Sequence, residues 1–264
     1  LEYVESTSPG LFLITKQNTR YWVGGTGDNR IAVESRVVRE GTIACALSSD
    51  GTTRIGANGE EVKVHVDLEF PRSKSWIRVD YHVIDPRDEI AELGCELNLV
   101  IGSAPTLVDF GASSMVYATL RGEQQTVFSA RPGHFEQPRG KEVEPRWRIE
   151  HGQPGKLEPY AICPPASVQS PEGWAHVMDD KRCTAVAIAD FARSARDRIE
   201  VDAKGRLMVA RRFETSTAKR ADQKTFTFWF HFVPMPVHVG AATSPQSMQS
   251  PLEVKIETKS TAKK

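Results

Sequence analysis

The sequence predicts an all-β protein, a large antiparallel β-sandwich with few or no helices. Three consecutive segments between Glu61 and Ile101 alternate apolar and polar residues with a period of two, which places one face of each strand in a core and the other in water. Residues typical of turns recur about every ten positions along the chain, a spacing that favours a sandwich or a barrel over alternating strands and helices.

The first half of the chain contains short apolar runs bounded by turn residues, and each run predicts a strand. A turn is expected where Ser49, Asp50 and Gly51 follow the fourth run. The predicted strands are 11–14, 21–23, 32–38 and 43–47, then 61–70, 76–83 and 92–101, then 115–120 and 126–129.

The second half continues with predicted strands at 174–178, 184–191, 198–201, 207–209 and 225–233, and a last one at 252–256. Phenylalanines occupy alternate positions from Phe226 to Phe232, so one face of that strand is expected to anchor the core. Trp229 and His231 then lie on its other face.

Two stretches without periodicity interrupt the strands. Residues 131–145 hold two glycines, three prolines, His134 and Arg139, and a loop of this length is either functional, as a wall of a binding cleft, or disordered. Residues 163–173 are expected to form a crossing connection. Because no repeat and no low-complexity linker divides the chain, we expect a single domain over residues 1–258 and a polar tail over residues 259–264.

Charge and composition exclude several classes of protein. The chain has 34 basic and 34 acidic residues, so no net field attracts nucleic acid or an anionic membrane. No apolar run approaches the roughly 18 residues of a membrane-spanning helix. The four cysteines form no CxxC pair, and buried free thiols are favoured over disulfides. No signal peptide precedes Leu1, so we expect either a cytosolic protein or, if a signal peptide has been removed, an extracellular or periplasmic one.

The hairpin over residues 61–83 carries the densest group of chemically useful side chains, and its register decides which of them meet. One register pairs Glu69 with Arg78, Asp67 with Asp80 and His65 with His82; the other pairs Glu69 with Trp76, Asp67 with Arg78 and His65 with Asp80. We favour the second, because opposite charges across strands contribute a few tenths to about 1 kcal/mol and facing aspartates cost a similar amount. The first would gather histidines and carboxylates as a metal site does. The sequence has no Cys or His spacing typical of a metal site, and we predict no metal and no cofactor.

Three phrases of the sequence carry a family resemblance. They are SPGLFLITK at residues 8–16, KSWIRVDY at residues 74–81 followed by DP at 85–86, and TFTFWFHF at residues 225–232. They resemble the β-supersandwich part of exo-rhamnogalacturonan lyase-like proteins, an architecture that galactose-mutarotase-like sandwiches share. The resemblance implies a β-supersandwich that handles carbohydrate. The lyase-like proteins carry a further helical toroid domain without counterpart in this sequence, and none of their catalytic residues maps onto it by position.

We therefore expect a carbohydrate-active protein, foremost a polysaccharide lyase or a related enzyme acting on an acidic or deoxy-sugar glycan. A lyase must hold a uronate carboxylate, remove the neighbouring proton and protonate the leaving oxygen, and guanidinium, imidazole and phenol groups suit these tasks. Tyr81 is expected in the core with its hydroxyl satisfied, whereas Tyr117 could face either way. The candidate catalytic residues are Arg78, His82, His65, His176, His231 and Tyr117, and the candidate substrate-binding residues are Trp76, Trp174, Trp229 and Arg139.

Two other functions stay open at this point. A non-catalytic carbohydrate-binding or assembly module would use the tryptophans as stacking platforms or as an interface. A glycosidase or epimerase would use paired carboxylates or histidines, such as Asp67, Glu69 and Asp80. The sequence contains no GxSxG, HExxH or Walker motif. The expected partner is an oligo- or polysaccharide, and an oligomer is an open alternative.

Overall fold

The computed structural model describes residues 2–55, 59–72, 75–102, 106–112, 115–132, 145–163, 170–213 and 222–235. Over these ranges the chain forms strands and no helix, which confirms the all-β prediction. In chain order the strands are β1 (Gly10–Thr15), β2 (Arg20–Val23), β3 (Arg30–Ile31), β4 (Val33–Glu40), β5 (Ala44–Ile55), β6 (Glu60–Pro71), β7 (Trp76–Ile84), β8 (Ile90–Asn98), β9 (Thr106–Gly111), β10 (Met115–Leu120), β11 (Gln125–Ala130), β12 (Trp147–Gln153), β13 (Lys156–Ile162), β14 (Trp174–Met178), β15 (Arg182–Ile188), β16 (Arg196–Asp202), β17 (Arg206–Arg212) and β18 (Gln223–Pro234).

The strands form two nine-stranded sheets that pack face to face as a large sandwich. The first sheet has the order β13-β12-β11-β16-β17-β8-β1-β2-β3, and the second has the order β10-β9-β14-β15-β18-β7-β6-β5-β4. Neighbouring strands are antiparallel except for the short parallel pair of β2 with β3. The antiparallel β-sandwich predicted from the alternation is therefore confirmed.

One apolar core lies between the sheets and takes one face of each. The phenylalanines of β18 behave as the alternation predicts, since Phe226, Phe228 and Phe230 are buried in this core. Tyr81 of β7 is also fully buried. Its hydroxyl, however, has no hydrogen-bond partner, contrary to our expectation, and burial raises the pKa of this phenol. Tyr81 is thus a core residue and takes no part in a surface site.

A buried ion pair stabilises the connection between β7 of the second sheet and β8 of the first sheet. The ammonium Nζ of Lys224 lies 2.6 Å from Asp85 Oδ2 and 2.7 Å from Asp88 Oδ1. Asp85 also accepts hydrogen bonds from the backbone N–H groups of Glu89 and Ile90. Lys224 and Asp85 are both buried, so each charge is compensated by its partner rather than by water.

The turn predicted at residues 49–51 is wrong. These residues lie in the middle of β5, and Asp50 faces His65 of β6 across the sheet. Gly51 is required there for a different reason, because a Cβ atom at this position would lie 2.6 Å from the carbonyl oxygen of Ala32. The glycine thus permits a close approach of two backbones rather than a reversal of the chain.

The favoured register of the β6–β7 hairpin is also wrong. The structure pairs Glu69 with Arg78, Asp67 with Asp80 and His65 with His82. Other contacts offset the facing aspartates: the Arg78 guanidinium and the Thr227 hydroxyl both donate to Asp80, and the His65 ring lies 3.0 Å from Asp67. The prediction considered only the charges that face each other on these two strands. Hydrogen bonds to other neighbours outweigh that contribution and offset the repulsion between Asp67 and Asp80.

The other predictions about the chain have mixed outcomes. All four cysteines are free, as favoured; three are buried and Cys45 is partly exposed. Burial raises the pKa of Cys95 and of Cys183 to about 12. No helix long and apolar enough to cross a membrane occurs in the described ranges. Arg139, His134, the strand predicted at 252–256 and the tail at 259–264 lie outside the described residues, so the domain limits stay a prediction.

Replacing the buried lysine should be costly. Lys224→Met is expected to lower the free energy of unfolding by about 3–5 kcal/mol, because it leaves the buried carboxylate of Asp85 without its cation, whereas Asp88 keeps its ion pair with Lys16. Chemical denaturation measures the change. The matched control is Lys204→Met, which removes an exposed lysine paired with Glu123 and should have little effect. Equal losses for the two variants would contradict this role for Lys224.

Candidate functional site

The polar candidates of β6, β7, β14 and β18 share the outer face of the second sheet, the face turned away from the core. Antiparallel pairing arranges them in rows that run across the strands. One row holds Thr225, His82, His65 and Asp50, and the next holds Thr227, Asp80, Asp67 and Ser48. The third row holds Trp174, Ala187, Trp229, Arg78 and Glu69, and the fourth holds Asp109, His176, Ala185, His231 and Trp76.

The first two rows form what we call the imidazole cluster: His65, His82, Asp50, Asp67 and Asp80. The ring of His65 lies between two carboxylates, with Nδ1 at 2.6 Å from Asp50 Oδ1 and Nε2 at 3.0 Å from Asp67 Oδ2. The ring of His82 is the neighbour on the other side, with its centroid 6.1 Å from that of His65. The cluster therefore brings two imidazoles and several carboxylates to one patch of sheet.

The two carboxylates decide the charge of His65. The hydrogen bond to Asp50 is the largest influence and, with the bond to Asp67, raises the pKa of the His65 imidazole, although partial burial opposes the shift. The hydrogen bond with His65 in turn lowers the pKa of Asp50. When both ring nitrogens face a carboxylate, both can donate only if the ring is protonated. The position between two carboxylates thus favours the protonated form of His65.

His82 differs from His65 in having an unoccupied ring nitrogen. It is partly exposed, and its Nδ1 is buried without a hydrogen-bond partner. Both histidines line an open depression of about 800 Å³, together with Asp50 and Asp67. Because Nδ1 is buried, a molecule in the depression could exchange a proton with His82 only through Nε2.

Arg78 lies beside the cluster and is already engaged. Its Nη2 donates to Asp80 Oδ1 over 3.1 Å, and its guanidinium lies over the ring of Trp229 at 5.8 Å. The hydroxyl of Thr227 donates to the same Asp80 oxygen over 2.7 Å. These contacts join Arg78 of the third row to Asp80 of the second row, next to His65 and His82.

The fourth row contains a second histidine–carboxylate pair. His176 Nδ1 lies 2.8 Å from Asp109 Oδ1, and the same oxygen accepts the backbone N–H of His176 over 3.1 Å. Both side chains are buried, and the His176 ring packs against Trp174 with centroids 5.0 Å apart. The small residue Ala185 separates His176 from His231 in this row.

The candidates predicted from the sequence therefore form two groups rather than one. Trp76, which marks the fourth row on β7, is six residues from His82, a separation of about 20 Å along an extended strand. His65 and His82 line the depression, whereas His176 and His231 do not. The structure places the candidates on one face, as the alternation predicts, but does not bring all of them to one hollow.

The aromatic candidates differ in their exposure. Trp174 and Trp229 are only 5% and 4% exposed and pack against Ala185 and Ala187, so their proposed role as sugar platforms would require their cover to move. Trp76 is partly exposed at the edge of this group. Tyr117 is 62% exposed on β10, across from Asp109. Arg139, the remaining binding candidate, lies outside the described residues.

Sequence reasoning missed two carboxylates of this face. Asp50 was assigned to a turn, and β9, which carries Asp109, was not predicted at all. A period of two does run through Thr106, Val108 and Phe110, which are buried, and that signal could have placed Asp109 on the opposite face from the core. In the described part of the chain, no three His, Cys, Asp or Glu side chains are arranged to hold a metal ion.

Comparison with known proteins gives a fold but no family. The sequence matches no protein-family model and no curated protein. Among solved structures, it is similar to the α-N-acetylgalactosaminidase NagBb of Bifidobacterium bifidum in complex with GalNAc, with a TM-score of 0.51 and 10% identity over 88% of this chain and 32% of that one. The chain thus spans about a third of that enzyme.

Two smaller proteins are similar at lower scores. One is a galactose 1-epimerase from Lactobacillus acidophilus NCFM, with a TM-score of 0.42 and 8% identity over 88% of this chain and 79% of that one. The other is a galactose mutarotase-like protein from Lactobacillus casei ATCC 334, with a TM-score of 0.37 and 11% identity over 88% and 82% of the two chains. At such identities the comparisons concern the fold alone, and the resemblance to exo-rhamnogalacturonan lyase-like proteins stays a prediction.

The protonated state of His65 predicts a stability that depends on pH. Because folding raises the pKa of His65 above the usual value near 6.5, its contribution is fully present below about pH 6.5 and is lost as pH rises through the folded pKa. His65→Gln should therefore lower the melting temperature at about pH 5.5 and have a smaller effect at about pH 9.

Thermal melting of both proteins at the two pH values measures this difference. Lys63→Gln is the control, because it removes an exposed positive charge from the same strand, 3.9 Å from Glu61, and should have the same small effect at both values. A loss for His65→Gln that is equal at the two pH values would show that His65 is not held as a cation.

Proposed function

We propose that this protein binds a carbohydrate at the imidazole cluster and that the cluster exchanges protons with the bound sugar. One observation carries the proposal: His65 lies between two aspartates, with His82 beside it, at the wall of an open depression of about 800 Å³. A depression of this size is in the range of small-molecule sites and can receive one or two sugar units. Imidazoles and carboxylates are the groups that bind sugar hydroxyls and move their protons.

The charges around the depression favour a neutral or deoxy sugar over an acidic one. Three carboxylates line it, from Glu34, Asp50 and Asp67, against the cation of Lys63 and the imidazole of His65. Carboxylates accept hydrogen bonds from sugar hydroxyls, whereas they repel a uronate. This supports a ligand rich in hydroxyl groups and without a charge of its own.

The cluster offers one available imidazole for a proton transfer. His82 is partly exposed and would accept a proton from a sugar hydroxyl at Nε2, whereas His65 is bonded at both nitrogens and would hold Asp50 and Asp67 in place. For an epimerase, His82 would take the proton of the anomeric hydroxyl and return a proton to the ring oxygen, so that the ring opens and recloses. For a glycosidase it would protonate the leaving oxygen while a carboxylate assists.

The lyase predicted from the sequence is less well supported at this cluster. A lyase needs a cation that is available to a uronate, and Arg78 is already bonded to Asp80. A non-catalytic module has its own supporting observation, since both ring nitrogens of His65 are occupied by the protein. A lyase would release an unsaturated product, whereas a non-catalytic module would bind the sugar without turnover.

The test combines a binding assay and a turnover assay. GalNAc is a reasonable first compound because the structure of NagBb, which contains this fold, holds it; galactose, rhamnose and their oligosaccharides follow. Binding is measured by calorimetry, anomer interconversion and bond cleavage by proton NMR, and β-elimination by the ultraviolet absorbance of an unsaturated product from uronate polysaccharides.

His82→Gln should lower turnover by about 100-fold or more, the usual contribution of a general acid or base, while retaining most of the binding. The matched control is His151→Gln, a histidine of the first sheet bonded to Thr126, which should leave turnover unchanged. Unchanged turnover in His82→Gln, or absorbance that identifies an unsaturated product, would overturn the proposed chemistry. Binding to the wild-type protein without any turnover would instead identify a non-catalytic module.

A further inference from the structure

The outer face of the first sheet carries a local concentration of arginines. Six of them line one depression of about 260 Å³, together with only two carboxylates, those of Glu92 and Asp197. The arginines are Arg131, Arg146, Arg148, Arg196, Arg198 and Arg212. We refer to this depression as the arginine pocket.

Strand pairing places these residues side by side. Arg212 of β17 lies directly between Glu92 of β8 and Arg196 of β16. In the neighbouring row, Arg198 of β16 and Arg148 of β12 lie on either side of Ser129 of β11. Arg196 and Arg212 thus face each other on adjacent strands. Arg198 and Arg148 are two strands apart, and the small Ser129 between them leaves a hollow between their guanidinium groups.

The two carboxylates do not neutralise the pocket. Asp197 is bonded through both oxygens to Arg211, which is outside the lining, at 2.8 and 2.9 Å. Glu92 accepts one hydrogen bond from Arg198 over 2.7 Å. Glu150 and Glu200, outside the lining, lie 3.3 Å from Arg148 and 3.2 Å from Arg198, so with Glu92 at least three carboxylates partly offset the six guanidinium groups. Among the described residues, Arg212 makes no hydrogen bond or ion pair.

The rest of the same face is balanced, which marks the pocket as a local feature. Arg206, six residues before Arg212 on β17, lies within 3.6 Å of Glu96, Glu200 and Asp202. Like charges that face each other across strands destabilise a sheet, and Arg212 and Arg196 face each other in this way at the pocket. Arg146 adds a second sign of an unfilled site, because its Nε is buried and has no hydrogen-bond partner.

We propose that the arginine pocket binds the oxyanion of an acidic saccharide, a carboxylate or a sulfate. Guanidinium groups hold such planar or tetrahedral anions through paired N–H donors, and several guanidinium groups around one hollow favour a charged group over a hydroxyl. The pocket lies on the opposite sheet from the imidazole cluster, so it would be a second carbohydrate site of different charge preference.

A neighbouring depression supports a saccharide rather than a small ion. It has a volume of about 440 Å³, shares Glu92, Arg198 and Arg212 with the arginine pocket, and adds Lys16 and Arg20. The two depressions form a continuous surface longer than one oxyanion. Burial raises the pKa of Glu92, against the opposing influence of Arg198 and Arg212, so the carboxylate of the pocket can lose its charge as pH falls and binding should then strengthen.

The experiment is calorimetric titration of the intact chain with three ligands: oligogalacturonate, a sulfated oligosaccharide and a neutral oligosaccharide of equal length. We expect the two charged ligands to bind and the neutral one not to bind at this site, with affinity that falls steeply as salt is added. Inorganic phosphate is a fourth arm. If it competes with the charged saccharides at similar concentration, the oxyanion alone is recognised and the saccharide assignment is overturned.

Arg212→Gln and Arg146→Gln should each weaken binding of the charged ligands about tenfold or more, the loss expected for one charge-assisted hydrogen bond. Arg206→Gln is the matched control, since it removes the same charge from the same face outside the pocket. Equal affinities for the three variants would overturn the proposal. His82→Gln leaves the arginine pocket intact. The turnover of this variant therefore tests the proposed function alone, and the binding of charged ligands to the arginine variants tests the arginine pocket alone.

Discussion

The register in which β6 meets β7 is the constraint on which the site depends. Because it sets His65 opposite His82, it also sets Asp67 opposite Asp80, and a shift of one residue would turn these side chains into the core. The facing aspartates are tolerated because each is bonded to a neighbour: Asp80 to Arg78 and Thr227, and Asp67 to His65. The charges of the site and the pairing of its strands thus stabilise each other.

The same sandwich presents two outer faces of different chemistry. A single apolar core occupies the inner side of both sheets, so the alternation of every strand sends its polar residues outward. On the second sheet these residues are mostly imidazoles and carboxylates, and on one part of the first sheet they are arginines. Neutral hydroxyl-rich groups and anionic groups would therefore be sorted to opposite sides of the molecule.

The sequence predicts the strands wherever alternation is strong and fails where other signals compete. The phenylalanines of β18 and the sequence of β6 and β7 are long alternating runs, and both strands and faces are found as predicted. Residues 106–111, 147–153 and 156–162 form strands that were not predicted. The first has a usable alternation but is only six residues long, and the other two combine few strongly apolar residues with glycine, proline or charge.

The site was predictable only in part, for a physical reason. Alternation states which face a residue takes, and it placed His65, His82, Arg78, His176 and His231 on one side. It does not state how far apart they lie along the strands, and so it could not separate the imidazole cluster from the His176–Asp109 pair. Asp50 was missed because Ser-Asp-Gly is typical of a turn, although here the glycine serves a close backbone contact inside β5.

The most direct test of the imidazole cluster is an NMR titration of the histidine ring nitrogens, with and without GalNAc. We predict that the pKa of His65 lies above the ordinary value near 6.5 and that added sugar shifts the resonances of His82. A His65 pKa at or below 6.5, together with His82 resonances that do not move, would contradict the site described for this face.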